Sequence, residues 1–311
     1  MAPAPVWASG SGSRSDSVSL WHDQQSRTMF YRGDLIMAKT KRIGALLPAT
    51  NPVVEPDFYR VIPKEITVHF ERMWNGAWGG QIPQSTKADE NDGHRISLTS
   101  EEANEVDWAL FGFSANKMNE DVERGAKSLA NIEPDILVYA CTSGTWHKGN
   151  LAFDRQIADT MTAASGVPSI TAVNSCIEAM RFMESQRISI AGPYRNFHLR
   201  NRLKPFLEEA GFTVLSADGE PWMQDSMNPL DIEAEDPQTI VDFVPTVAKD
   251  DADTIFLPGT AWRALDAVEE LEQKLGKTVI TVNQATIWMA LREMGWTEPI
   301  PGFGRLLRTL V

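Results

Sequence analysis

The sequence predicts an α/β protein made of two Rossmann-like domains related by a pseudo-twofold, each a parallel sheet flanked by helices, with a site in the cleft between them. Three observations lead there. Short apolar runs of strand length alternate with helical periodicity along most of the chain, the pattern of parallel sheets covered on both faces. One phrase occurs twice, as Asp135-Ile136-Leu137-Val138-Tyr139-Ala140-Cys141-Thr142-Ser143-Gly144 and as Asp253-Thr254-Ile255-Phe256-Leu257-Pro258-Gly259-Thr260. An earlier phrase repeats too: Arg42-Ile43 with Pro48 and Asn51 is matched in spacing by Arg187-Ile188 with Pro193 and Asn196. In both copies of the first phrase an Asp opens an apolar strand. The sixth residue after it is Cys141 in one copy and Gly259 in the other, followed each time by Thr. One wall of the cleft is therefore expected to carry a thiol and the facing wall only backbone.

The elements follow in order. Residues 1–26 are rich in Ser, Gly, Ala and Pro with no sustained apolar period, and residues 1–38 read as a disordered extension or vector-derived remnant, with Met37 an alternative start. An Arg-bearing targeting peptide is the competing reading, which Asp16 and Asp23 weaken. A strand at 42–48 ends in a proline, and Glu55 and Asp57 mark the start of a helix. A second strand spans 66–73. Residues 74–99 form a long Gly- and Trp-bearing loop, a lid or a disordered segment. Helical periodicity then runs from 100 to about 132, interrupted near Asn119. After the Cys141 strand come a helix at 150–164, a strand at 168–171 and a helix at 173–184. The second half brings a strand at 187–193, a helix at 196–210 stopped by Gly211, and a strand at 212–216. A helix at 237–249 precedes the Gly259 strand, and the chain continues with a helix at 263–275, a strand at 278–282 and a helix at 283–294. The first domain is expected over 39–171 plus 285–311, and the second over 172–284.

Composition narrows the partners. A chain of 311 residues that is 42% hydrophobic can bury a large core. A net charge of −13 argues against nucleic acid or an anionic membrane as the main partner. No apolar run approaches the roughly 20 residues that span a bilayer. Two cysteines and no signal-peptide pattern fit a reducing cytosol, so a cytoplasmic location is expected. The five histidines show no ligand spacing, and there is no P-loop or G-x-G-x-x-G after a strand. Neither metal nor organic cofactor is therefore expected. The expected partner is a small carboxylate, and the chain is expected to form a homo-oligomer.

Cys141 is the sharpest chemical candidate. At a strand end, followed by small residues and a helix start, its thiol pKa would be lowered by nearby donors. The alternative is a buried structural cysteine, since free Cys is among the most buried residue types. Thr142, Ser143 and Gly144, and Gly259, Thr260 and Ala261 in the mirror position, read as anion cradles or as helix caps. Asn51 and Tyr194 sit on turns facing the cleft, where an amide and a phenol can orient a carboxylate. Asn196 is expected to cap the helix that follows it. Cys176 reads as packing, His147 as a surface or supporting residue, and Arg195, Arg200 and Arg202 as a solvated helix face.

These pieces resemble the aspartate/glutamate racemase superfamily, in the branch of maleate cis–trans isomerases and arylmalonate decarboxylases. The matching phrases are Pro48-Ala49-Thr50-Asn51, Tyr139-Ala140-Cys141-Thr142-Ser143-Gly144, Gly192-Pro193-Tyr194 and Pro258-Gly259-Thr260-Ala261-Trp262-Arg263-Ala264-Leu265. The resemblance implies two α/β domains closing over a small carboxylate without a cofactor. It implies Cys141 as the catalytic cysteine of the first domain, Tyr194 beside it, and Asn51 and Asn228 as substrate-orienting groups. The departure is Gly259, where racemases and isomerases of the family carry a second thiol. Two-base racemisation is disfavoured without it.

Two reactions remain for one thiol. The Cys141 thiolate could add to a cis double bond, allow rotation, and leave. Alternatively a malonate-like acid loses CO2 in a dry pocket and Cys141 protonates the enediolate. Family decarboxylases hold their cysteine in the other half, so protonation here would come from the opposite face. The position of Cys141 gives preference to the isomerase-like reading. A non-catalytic carboxylate-binding protein is the third reading.

Overall fold

The computed structural model describes residues 31, 32, 35, 36, 40–74, 100–224 and 229–311. Expectations for residues 1–30, the loop 75–99 and Asn228 lie outside the described residues. The chain divides into two units, Met1–Lys39 and Thr40–Val311. In the first, β1 (Tyr31–Arg32) pairs antiparallel with β2 (Leu35–Ile36).

The second unit holds two four-stranded sheets, every neighbouring pair parallel. The first is built from β3 (Lys41–Pro48), α1 (Val54–Val61), β4 (Ile66–Met73), α2 (Ser100–Asn119), α3 (Val122–Ala130), β5 (Ile136–Tyr139), α4 (Ser143–Trp146), α5 (Leu151–Ser165) and β6 (Ser169–Thr171). Its strand order is β4-β3-β5-β6. The chain continues through α6 (Ala172–Phe182), β7 (Arg187–Gly192), α7 (Asn196–His198), a π turn at Leu199–Leu203, α8 (Lys204–Glu209), β8 (Thr213–Gly219) and a 3-10 turn at Pro221–Gln224. Then come α9 (Pro229–Ala234), α10 (Pro237–Val247), β9 (Thr254–Leu257), a 3-10 turn at Arg263–Ala267, α11 (Val268–Leu275), β10 (Thr278–Thr281), α12 (Val282–Glu293) and α13 (Gly304–Leu307). The second sheet runs β8-β7-β9-β10, the same order as the first. Strands β5, β9 and β10 are buried along their whole length, as apolar strands covered on both faces must be.

The repeated phrases have a common physical cause. Asp135 and Arg42 exchange bonds at the mouth of the β3–β5 pair: the Asp135 N–H donates to Arg42 O at 2.8 Å, and the Arg42 N–H donates to Asp135 Oδ2 at 2.9 Å. Asp253 and Arg187 do the same before β7 and β9, at 2.9 and 2.8 Å, and Gln186 N–H adds a third donor at 3.0 Å. Each carboxylate thus satisfies a backbone donor that the ladder has not yet reached. The strands then leave in the same register, Ile43 opposite Ile136 and Ile188 opposite Thr254.

The two halves are stitched by the helices that leave their outer strands. Thr171 and Thr281 cap α6 and α12, accepting from Asn174 N–H at 3.0 Å and Gln284 N–H at 3.4 Å. The helices α6 and α12 pack on each other, α6 also touching β10 and α12 touching β5. Thr281 and Gln284 complete a reciprocal capping box.

The expected helix 196–210 is instead α7, a π turn and α8. Pro205 lies in the first turn of α8, where its missing N–H cannot continue the preceding ladder. The interruption near Asn119 is the boundary between α2 and α3. Asn196 does not cap the following helix: its Oδ1 accepts the Gly219 N–H at 2.7 Å, tying the turn to the end of β8. The short helices α4, α9 and α13 were not anticipated, being too brief to show a period.

The paired aspartates give a direct stability test. Asp135→Ala and Asp253→Ala should each cost about 1 kcal/mol, since water can partly replace the lost acceptor at these half-open positions. Urea unfolding measures this as a lowered midpoint at unchanged slope. A midpoint unmoved in both variants would show that the repeated Asp does no anchoring.

Candidate active site

Four loops at strand carboxyl ends meet in one cavity. They follow β3, β5, β7 and β9, the central strands of the two sheets, where open α/β sheets place their ligands. The cavity encloses about 650 Å3 of empty space, part of it open solvent. The loops bring Thr50 and Asn51, Cys141 to Ser143, Pro193 and Tyr194, and Gly259 to Trp262 to its walls. The sulfur wall and the glycine wall expected from the repeat therefore border the same space.

Cys141 lies just past the end of β5 and is 3% exposed. Its sulfur is 3.4 Å from Ser143 Oγ and accepts the Gly144 N–H at 3.4 Å. The sequence suggested that such donors would lower the thiol pKa. The structure reverses the sign: burial raises it, outweighing the donors from Ser143 and Gly144. The sulfur therefore carries its proton at neutral pH. Gly144 itself does not border the cavity. An added Cβ there would fall 1.8 Å from Tyr139 Oη, so glycine is required by what lies behind it.

Thr142 Oγ1 and Tyr194 Oη lie 3.5 Å apart across the cleft. Tyr194 is buried edge-on against Trp146, and burial holds its phenol above the ordinary range, a neutral donor. Asn51 serves two purposes. Its Oδ1 accepts the N–H groups of Val53 and Val54 at 2.9 and 3.1 Å, and its Nδ2 donates to Thr260 Oγ1 at 2.9 Å. The turn and the opposite loop are thus joined by one amide.

Behind Thr260 stands a buried relay. Asn283 Nδ2 donates to Thr260 O at 3.1 Å and to Asp57 Oδ2 at 2.8 Å. Burial pushes Asp57 up to about 7, partly offset by Asn283 and Arg60. On the other side, Trp262 Nε1 donates to Glu235 Oε2 at 2.6 Å and Trp222 Nε1 to Glu235 Oε1 at 3.3 Å. Burial, and then Glu235 itself, push Glu220 far above the usual carboxylate range, so it stays protonated at neutral pH.

Gly259 has φ +108°, where a side chain is strained. A Cβ there would come 3.1 Å from Pro193 Cγ and 3.6 Å from Tyr194 Oη. The backbone of this wall is fitted to glycine.

Sequence reasoning missed the side wall. Phe111, Ser114, Ala115 and Met118 line the cavity from α2, with Ile232 from α9. The first four stand at i, i+3, i+4 and i+7, a helical stripe legible in the sequence but indistinguishable there from core. His147 is buried, its Nδ1 3.0 Å from Ser143 O and its Nε2 3.2 Å from Asn116 Oδ1. Burial lowers its pKa to about 4, so it supports the loop as a neutral ring. Cys176 packs in the core of α6, away from the lining of this cavity. Arg200 and Arg202 pair with Asp218 and Glu105. Among the described residues no cluster of His, Cys, Asp and Glu is arranged to hold a metal, and no helix is long and apolar enough to cross a membrane.

Comparison with known proteins finds relatives of this chain. The family model described as arylmalonate decarboxylase matches residues 111–307. The maleate isomerase of Geobacillus stearothermophilus is 21% identical over 276 residues, covering 87% of this chain and 98% of that protein. The arylmalonate decarboxylase of Bordetella bronchiseptica is 29% identical over 193 residues, 60% of this chain and 77% of that one. Among solved structures, a cysteine-to-serine variant of the Nocardia farcinica maleate cis–trans isomerase with a covalently bound succinylcysteine intermediate superposes with a TM-score of 0.66. It shares 20% identity and covers 86% of this chain and 98% of its own. That likeness shows the fold.

Two outcomes test the site's construction. Gly259→Ala should destabilise the protein by about 1–3 kcal/mol, the cost of a strained φ, measured by urea unfolding. Wild-type stability in that variant would mean that the loop relaxes freely. The alkylation rate of Cys141 by iodoacetamide, followed by peptide mass spectrometry, should rise with pH through a midpoint above the free-thiol value of about 8.5. A midpoint below it would show that the donors outweigh burial.

Proposed function

The chain belongs to the arylmalonate decarboxylase family, and on that premise we propose that it is a carboxy-lyase for a malonate-type acid, with Cys141 as its proton donor. The observation that carries this reading is a single buried thiol, protonated at rest, facing a wall that holds no second one. Decarboxylation needs one acid and an anion cradle, and no base on the opposite face.

The steps balance without further parts. One carboxylate of the substrate is held by the hydroxyls of Thr142, Ser143 and Thr260, with Asn51 and Tyr194 fixing its orientation. The other lies against the apolar side of the cavity, where Phe111, Met118, Ile232 and Trp262 exclude water. Poor solvation there raises the energy of the departing carboxylate. The bond to it breaks, CO2 leaves, and the electron pair passes into the retained carboxylate as an enediolate. Cys141 gives its proton to the carbon, and water restores the thiol.

A second reading has its own support. The Ser143 hydroxyl and Gly144 N–H are placed to stabilise a thiolate once one forms, and maleate isomerases are relatives over nearly the full length. In that case the thiolate adds to one alkene carbon, the C–C bond rotates, and elimination returns the sulfur and the trans acid.

Incubation with phenylmalonate and with maleate separates the two, following phenylacetate and CO2 in one and fumarate in the other. The carboxy-lyase reading expects the first pair, lost by about 100-fold or more in Cys141→Ala. The pH profiles run in opposite senses. A proton donor loses rate as pH rises through the thiol pKa, whereas a nucleophile gains rate over the same range. Binding of either acid without any product would leave only a binding protein.

A further inference from the structure

We propose that Tyr139 is a positioning residue for the Cys141 sulfur, its hydroxyl shared between the thiol and the Asn119 amide so that it turns toward the sulfur when negative charge forms there. The inference rests on reading Cys141 as the reacting group, and extends it to two residues behind the cavity wall.

Tyr139 closes strand β5, two residues before Cys141, so both side chains leave the same side of the extended chain. It is completely buried, where a phenol must find a partner. Its hydroxyl donates to Asn119 Oδ1 at 2.5 Å, and the residue packs in one buried cluster with Cys141. Asn119, the last residue of α2, is fixed in turn by donating Nδ2 to Gly144 O at 2.7 Å. The close approach of Oη to Gly144 shows how tightly the ring is set under the Cys141 loop. A phenol has one proton and two lone pairs. With the thiol protonated, the Tyr139 proton goes to Asn119 and its oxygen is open to the S–H. With a thiolate, the same proton is better used on sulfur, because a hydrogen bond to an ion is the stronger one.

The repeat supplies an internal control. The position of Tyr139 in the second phrase is Leu257, that of Ser143 is Ala261, and that of Cys141 is Gly259. Thr142 keeps its counterpart in Thr260. Where the thiol is missing, the Ser143 hydroxyl that touches it and the buried tyrosine hydroxyl two residues before it are missing too, while the threonine that faces the cleft remains. Packing alone accepts Leu at the end of a buried strand, and β9 ends in one. A tyrosine whose buried hydroxyl is anchored on Asn119 beside the thiol fits the chemistry of the armed half.

The titratable groups that act on this cluster among the described residues are Tyr194, across the cleft, and Asp154 on α5, behind Tyr139. Both are held above their ordinary range by burial, and neither changes in the variants below.

The test is the pH profile of Cys141 alkylation by iodoacetamide, read on the Cys141 peptide so that Cys176 does not contribute. Tyr139→Phe removes the switching donor and should raise the thiol pKa by about one unit, a roughly tenfold slower alkylation at pH 8. Asn119→Leu removes the competitor for the hydroxyl proton and should move the profile the other way, to faster alkylation. The double variant should match Tyr139→Phe. Opposite signs from two neighbouring residues are not what loss of packing produces. An unchanged profile in Tyr139→Phe, or a rise in both single variants, would overturn the proposal. Should Asn119→Leu fail to fold, Asn119→Ala asks the same question. No turnover is needed, so this result stands apart from the function: that reading falls if Cys141→Ala still forms product, whatever the titration shows.

Discussion

The structure depends on where its two central strand pairs begin. Asp135 and Asp253 each accept the backbone N–H of the arginine that opens the neighbouring strand, and each returns its own N–H to that arginine's carbonyl. A parallel pair has no hairpin to set its register, so contacts at the strand starts add to the buried apolar pattern in fixing it. Given that anchor, β3 and β5 run in a fixed register, as do β7 and β9. Four loops then reach the same height, and the helices α6 and α12, exchanged between the sheets, hold the two sets of loops face to face. The cavity is the consequence of an alignment made a full strand length away.

On this symmetrical frame the chemistry is one-sided. The first half carries sulfur, two hydroxyls and a glycine whose N–H meets the sulfur. The second carries Gly259 at a φ that suits no other residue, with Thr260 held from two directions by Asn51 and Asn283. The conformations differ along with the residues, so the glycine is not a cysteine position with its side chain trimmed away. Proline 193 and Tyr194 have closed in on the space a side chain would need. This half presents main chain and a hydroxyl to the cavity, with its loop braced from behind by Asn283 and Asp57.

The alternation of elements, the parallel sheets and the shared cavity were legible in the sequence because they follow from periodicity and from a repeat that could be counted. The position of Cys141 opposite Gly259 was legible for the same reason. The walls were not. Phe111 to Met118 read as an ordinary amphipathic stripe, since a period says which face is apolar but not what it faces. Asp57 reads as a first-turn acid until Asn283, 226 residues away, is seen to reach it. The sign of the thiol's shift was misjudged on a similar ground. Donors near a cysteine can be read from neighbours in sequence, whereas burial is set by the whole fold, and here burial is the larger effect. Helix 196–210 is helical as expected but carries a π turn at Leu199–Leu203, just before Pro205, which the surrounding periodicity does not reveal.

The balance between burial and donors explains how one thiol can be both inert at rest and competent in reaction. Burial disfavours the thiolate, so the sulfur waits in its protonated form. On the proposed reading, once the proton has passed to a substrate carbon the thiolate meets the Gly144 N–H and the Ser143 hydroxyl already in place, and the Tyr139 hydroxyl turns toward it. Interactions that strengthen only as charge develops lower the barrier without tightening the resting complex. Donors strong enough to ionise the sulfur at rest would have removed the acid that decarboxylation requires. Weaker or absent donors would have left the product thiolate stranded in a dry pocket. A covalent addition would call for the opposite setting, a sulfur already charged when the alkene arrives. A thiol held above its ordinary range by burial, with donors beside it, is the setting the proposed proton donor needs.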